Sequence, residues 1–216
     1  ILAEAQGSPH IEECAFVVID LETAGMRARG DDRITEVAVV LVHGERREVV
    51  FQSLVNPGRP IPSMISMVTG ITNEMVQAAP PAEQVMREAA RFVAGRPMVA
   101  HNAAFDKKFW QAELARCGQD GAYPFACTLL LSRRLYPQAP NHKLGTLAAL
   151  HHLPSSGRAH RALADAEMAA HLLAQMQRDL NARYGCTQVD HALLMGLQRT
   201  SRHLVGSYLK QRVNQA

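Results

Sequence analysis

No uninterrupted apolar stretch approaches the ~20 residues needed to cross a bilayer. The run Ala15 to Ile19 stops at Asp20, and the run Val37 to Val42 stops at His43. A helical membrane span is excluded, and a soluble protein is expected. The four cysteines, Cys14, Cys117, Cys127 and Cys186, are scattered singly, with no C-x-x-C pair and no histidine at zinc spacing. Neither a zinc site nor a disulfide framework is indicated. Strong charge of one sign is missing too: a formal net charge of +3 with 47% hydrophobic residues excludes disorder as the main state. Early in the chain Glu4, Glu12 and Glu13 stand where a secretory leader would carry basic residues, so an ordinary or trimmed N-terminus and a cytoplasmic location are expected. A pI near 8.8 permits a nucleic-acid partner without proving one.

What is present reads as an α/β body. Ala15 to Asp20 is a short, continuous apolar run, the pattern of a strand buried on both faces, ended by a carboxylate. Ile34 to Val42 and Val49 to Val55 are valine-rich and separated by His43-Gly44-Glu45-Arg46, so three sequential antiparallel strands are expected. A short helix over Pro62 to Thr69 should stop at Gly70, and Pro81 should open a longer one with Val85, Ala89, Phe92 and Val93 on one face. Met98 to Ala100 reads as a strand, and Asn102 as the N-cap of a helix to about Cys117. Further helices are expected over Thr128 to Tyr136, Leu144 to His151, Leu163 to about Arg183 and Val189 to about Arg212. With no repeat or long linker, the chain divides into a loose lead-in (1–14), one body (15–184) and a basic helical tail (185–216). The expected class is a mixed α/β sheet with helices on its faces, and ligands there sit beyond the carboxyl ends of the strands.

Asp20 and His101 fall at such ends. Asp20 and Glu22 are two apart, so a strand presents both carboxylates on one face while Leu21 enters the core. Like charges so placed repel, and a cation is the usual remedy; a solvated strand end would look the same. Asp106, Trp110, Leu114 and Cys117 share a helical face, which turns the acid inward, although a first-turn Asp also complements the helix dipole. Asp165 heads a stripe of Ala169, Leu172, Leu173 and Met176. His160, five residues earlier, does not share that face and should lie in the preceding loop. Four acids and one histidine, each acid at the mouth of a buried element, suit two Mg²⁺ or Mn²⁺ ions clamping the attacking and leaving oxygens of a phosphodiester. A histidine, with a reference pKa of ~6.5, suits the deprotonation of water.

The segments D-L-E-T-A-G at 20 to 25, H-N-A-A-F-D at 101 to 106 and H-R-A-L-A-D-A at 160 to 166, in this order, resemble the DnaQ-like 3′-to-5′ exonucleases of the D-E-D-D-h type. The polymerase III epsilon subunits are the most similar in appearance. V-N-P-G-R-P-I-P at 55 to 62, V-T-G-I-T at 68 to 72 and H-K-L-G-T-L-A at 142 to 148 add to the likeness. The resemblance implies a ribonuclease-H-like fold with a five-stranded sheet. It implies that Asp20, Glu22, Asp106 and Asp165 bind two divalent cations, with Asp20 bridging, and that His160 is the general base. Thr23, Asn102 and Phe105 match positions that shape the pocket for the terminal nucleotide. The implied substrate is nucleic acid with a free 3′ end, DNA favoured and RNA the alternative, because Ala24 stands where epsilon subunits often carry a second threonine and ribonuclease T is similar there. A polymerase subunit is the implied partner.

A haloacid-dehalogenase-like phosphatase would need D-x-D where the chain has Asp20-Leu21-Glu22, and is set aside. A non-catalytic nucleic-acid-binding module has no motivation, since all five chemical positions are filled. The segment Gln198 to Ala216 holds Arg199, Arg202, Lys210 and Arg212 without an acid. It reads either as a weakly packed surface helix or as a basic element that tracks nucleic acid or docks on an acidic partner. Its removal is expected to spare hydrolysis of a minimal substrate.

Overall fold

The computed structural model describes residues 15–155 and 157–215; the lead-in, with Cys14, lies outside them. Strands β1 (Ala15–Thr23), β2 (Ile34–His43) and β3 (Arg46–Leu54) form an antiparallel meander. β4 (Met98–Ala100) joins β1 in parallel, and β5 (Phe125–Cys127) joins β4. The order β3-β2-β1-β4-β5 is the mixed five-stranded sheet expected from the sequence. The helices are α1 (Ser63–Thr69), α2 (Asn73–Gln77), α3 (Ala82–Val93), α4 (Ala103–Arg116), α5 (Thr128–Leu135), α6 (Leu144–Leu150), α7 (Ala162–Tyr184), α8 (His191–Arg199) and α9 (Val205–Asn214), with a 3₁₀ turn at Arg202–Leu204.

The apolar run in β1 is buried on both faces because helices cover both. Phe16 and Val18 join Ala166, Ala170 and Leu173 of α7 in one cluster. Val17, Ile19 and Leu21 join Val85 and Met86 of α3 and Phe109 and Trp110 of α4 in the other. The strand does not end at Asp20. It continues to Thr23, since Leu21 still faces the core and pairing with β2 persists through Glu22 opposite Glu36. Two carboxylates therefore extend the row begun by Phe16 and Val18, on the α7 side of the sheet.

Several local expectations shift. Phe92 is not on the buried face of α3 but exposed, with its ring 5.4 Å from that of Phe51. Asn102 precedes α4 at φ 59° and makes no side-chain cap, so it contributes a left-handed backbone position, which Asn tolerates better than most residues, in place of an N-cap oxygen. The last stretch is broken near Thr200 into α8, the 3₁₀ turn and α9. It is not weakly packed: Leu193, Leu194, Leu197, Val205 and Leu209 are buried in the same cluster as Phe16 and Val18. Buried Gln198 also covers the outer edge of β5. Its carboxamide oxygen accepts from Cys127 N at 2.7 Å and its nitrogen donates to Phe125 O at 3.2 Å. Edge-strand groups that would otherwise lie buried and unpaired are thereby satisfied.

Candidate active site

β1 delivers Asp20 and Glu22 side by side, and α7 brings Asp165 of its first turn over them. Oxygens of Asp20, Glu22 and Asp165 lie within 4.8 Å of one another. Asp106 arrives from the opposite side, out of α4, and is not among those three. β4 pairs with β1 only at Val17 and Val18, so the N–H of Leu21 has no strand partner, and Asp106 Oδ1 accepts it at 3.0 Å. That bond inserts the fourth acid at the strand edge, between Asp20 and Glu22 in sequence. The structure thus brings all four predicted acids to one end of β1, through three elements and from two faces.

Crowding and burial hold these acids protonated at unusually high pH. Asp20 lies well above the carboxylate range, through burial first and then the charges of Asp106, Glu22 and Asp165. Burial, followed by Asp165 and Glu36, pushes Glu22 up to about 8. Burial also takes Asp106 to about 8 against the opposing pull of the Leu21 N–H. Asp165 is raised by burial, with His160 lowering it. Among the described residues no Lys or Arg forms an ion pair with any of the four. Oxygen-only donors, crowded and held in no ion pair, fit a hard divalent cation.

His160 is exposed in the loop before α7, as expected, with φ 61°, a left-handed position rare for residues other than glycine. Its backbone N–H donates to Asp165 Oδ2 at 3.3 Å, which ties the loop to the acid. Asp20, Asn102, His160 and Asp165 line one cleft of about 640 Å³, walled further by Leu129, Lys143 and Met168. Thr23 is buried at the strand end, and its hydroxyl donates to Gly25 O at 2.6 Å, turning the chain out of the sheet. Phe105 is half-buried, 5.0 Å from the Phe109 ring, and Lys108 Nζ stands 5.8 Å from its centroid.

Two supports escape the sequence patterns. Glu36, buried in β2, takes a forked ion pair from Arg161 at 2.8 and 2.9 Å and also accepts from Ala162 N at 2.9 Å. A lone acid within the apolar run Ile34 to Val42 is the signal that would find it, because a buried charge requires a partner. His101 is a pin: its Nε2 donates to His142 O at 3.0 Å, so Nδ1 accepts from the Thr128 hydroxyl at 2.9 Å. Burial lowers its pKa to about 4, keeping it neutral in this role.

Comparison with known proteins agrees with this geometry. A family model described as Exonuclease matches residues 17–173. The chain is 37% identical over 179 residues to a DNA polymerase III subunit epsilon-like protein of Rhodobacter capsulatus, a match covering 80% of this chain and 25% of that one. It is also 37% identical over 177 residues to the PolC-type DNA polymerase III of Bacillus subtilis, covering 78% of this chain and 12% of that one. The chain therefore spans a quarter or less of these relatives. Among solved structures, exonuclease X in complex with 5′ overhanging duplex DNA superposes with a TM-score of 0.66 at 29% identity, covering 84% of this chain and 99% of that one. The nuclease domain of 3′hExo, a DEDDh family member bound to rAMP, shares the fold at a TM-score of 0.66 and 19% identity, covering 77% and 93%. With its ribonuclease-H-like sheet and its four acids and histidine at one strand end, the chain belongs to the DEDDh-type exonuclease family.

Proposed function

We propose that this protein removes nucleotides one at a time from the 3′ end of single-stranded or frayed DNA. One observation carries the proposal: Asp20, Glu22 and Asp165 converge within 4.8 Å while Asp106 is hooked to the backbone between the first two. In this reading Asp20, Glu22, Asp106 and Asp165 would together hold two Mg²⁺ or Mn²⁺ ions. When bound, the ions supply positive charge to the attacking and leaving oxygens of the phosphodiester. His160, exposed at the cleft mouth, accepts the proton of the attacking water, and its left-handed backbone and N–H bond to Asp165 hold the loop that carries it. Asn102, Thr23 and Phe105 shape the pocket for the terminal nucleotide. The names of the relatives support DNA as substrate and a polymerase as partner, and a cytoplasmic location goes with both.

The test is a 5′-labelled oligonucleotide incubated with Mg²⁺. A ladder shortening one nucleotide at a time supports the proposal. Early labelled mononucleotide would mean attack from the 5′ end, and faster degradation of an RNA strand of the same sequence would move the substrate to RNA.

A further inference from the structure

The acidic cleft poses a physical problem for its own substrate. A strand of phosphates approaching four carboxylates is repelled unless cations close by hold it, and clustered cations also set how affinity depends on salt. A second groove, of about 400 Å³, adjoins the cleft and shares Asn102 and Leu129 with it. Lys107 of α4 and Arg133 of α5 line it, Leu129 and Leu130 add apolar wall, and no carboxylate is among its lining residues.

The positive charge extends beyond those two. Gln198 brings the C-terminal segment into the groove wall, and Arg134 Nε donates to Thr200 O at 3.1 Å, which ties α5 to the residues just before Arg202 of the 3₁₀ turn; the charges of both Arg133 and Arg202 act on His142. Lys143 lies on the cleft wall next in sequence to His142. Among the described residues none of Lys107, Arg133, Lys143 and Arg202 is within ion-pair distance of a carboxylate. Their neighbour Arg134 contrasts with them, since it donates to Thr200 O and Leu130 O and is committed to the fold.

We propose that this groove carries the phosphate backbone of the strand immediately 5′ of the nucleotide held in the acidic cleft, and that Arg202 gives the C-terminal segment a direct part in substrate binding. The inference rests on the exonuclease function proposed above. It assigns the length and salt dependence of binding to Lys107, Arg133 and Arg202, and the chemistry to the cleft. Lys and Arg on exposed, flexible stems contact phosphate without reading bases, as an enzyme that must accept every sequence requires.

The test measures binding of fluorescein-labelled (dT)12 to the full chain by anisotropy, without divalent metal, between 50 and 200 mM KCl. Arg133→Ala/Arg202→Ala should flatten the slope of log affinity against log salt by about 1.4, because each phosphate contact on a single strand contributes about 0.7. Arg46→Ala/Arg47→Ala, at the far β2–β3 hairpin, should keep the wild-type slope. A double variant that binds like wild type, or a hairpin control that loses as much, overturns the groove. Hydrolysis of the dinucleotide TpT by the wild type in Mg²⁺, measured in parallel, separates the two levels. If TpT and (dT)12 are both inert, the proposed function fails while anisotropy still judges the groove.

Discussion

Glu36 and Arg161 meet in a forked ion pair of 2.8 and 2.9 Å, with the carboxylate buried and the guanidinium partly exposed. Glu36 lies opposite Glu22 in the β1–β2 register, and Arg161 follows His160. The pair therefore ties β2, the partner of the strand that carries two acids, to the loop that carries the histidine. Arg161→Ala should destabilise the protein by roughly 3 kcal/mol, since it leaves Glu36 buried and unpaired, and should lower turnover by displacing the loop. Arg161→Lys should recover only part of the stability, because an ammonium lacks the two-pronged geometry. Urea denaturation and steady-state rates check both. Wild-type stability in Arg161→Ala would contradict this role for the pair.

The crowded acids make the metal-free fold sensitive to base. A carboxyl with a higher pKa folded than unfolded binds its proton more tightly in the native state. The stability it contributes is full below the unfolded value and is lost as pH rises through the folded one. That window runs from ordinary values of 4.5 for Glu22 and 3.8 for Asp106 up to about 8 for each. In EDTA the melting temperature should therefore fall from pH 5 to pH 8 by more than about 5 °C. Mg²⁺ or Mn²⁺ should restore it, most of all at pH 8. Calorimetry showing a melting temperature independent of both pH and metal would contradict the cation site.

Gln198 substitutes for a missing sixth strand along β5. Gln198→Ala leaves Cys127 N and Phe125 O without their partners, and a loss of about 1–3 kcal/mol is expected from the buried, unsatisfied groups. Deleting residues 198–216 also removes Val205 and Leu209 from the core, so the truncated chain should melt far lower than the full one. Circular-dichroism melting of the two variants measures this, and a truncation as stable as the full chain would show the segment to be dispensable.

His160→Ala should cut turnover by roughly 10² to 10⁴. Metal-induced stabilisation should survive, because His160 donates to the acid set only through its backbone. Near-wild-type turnover in a folded His160→Ala would remove the imidazole from the reaction.

The sequence was informative where a residue's surroundings are local. Ala15 to Ile19 announces a strand covered on both faces, and the spacing of Asp20 and Glu22 alone places both acids on one of them. Asp106 and Asp165 are legible as acids atop apolar stripes. That Asp106 grips Leu21 N is not, since the bond exists only because β4 stops short beside β1. Two short elements went unread: β5 has three residues and α2 has five, too few for a period to show. Gln198, Glu36 and His101 take their roles from partners 71, 125 and 41 residues away, distances at which pattern carries no signal. The left-handed backbones at Asn102 and His160 were equally hidden, since neither is a glycine.

The most direct test of the metal-dependent site is release of mononucleotide from a 3′-labelled single strand by wild type and Asp20→Asn, in Mg²⁺ and in EDTA, with melting temperatures recorded in parallel. Wild type should release label in Mg²⁺ and none in EDTA. Asp20→Asn should be slower by about 10³-fold or more, yet melt no lower than wild type in EDTA at pH 8, because the substitution removes one of the crowded, buried ionisable groups. Release that persists in EDTA, or near-normal turnover in a folded Asp20→Asn, would contradict the assignment of this carboxylate cluster as the catalytic centre.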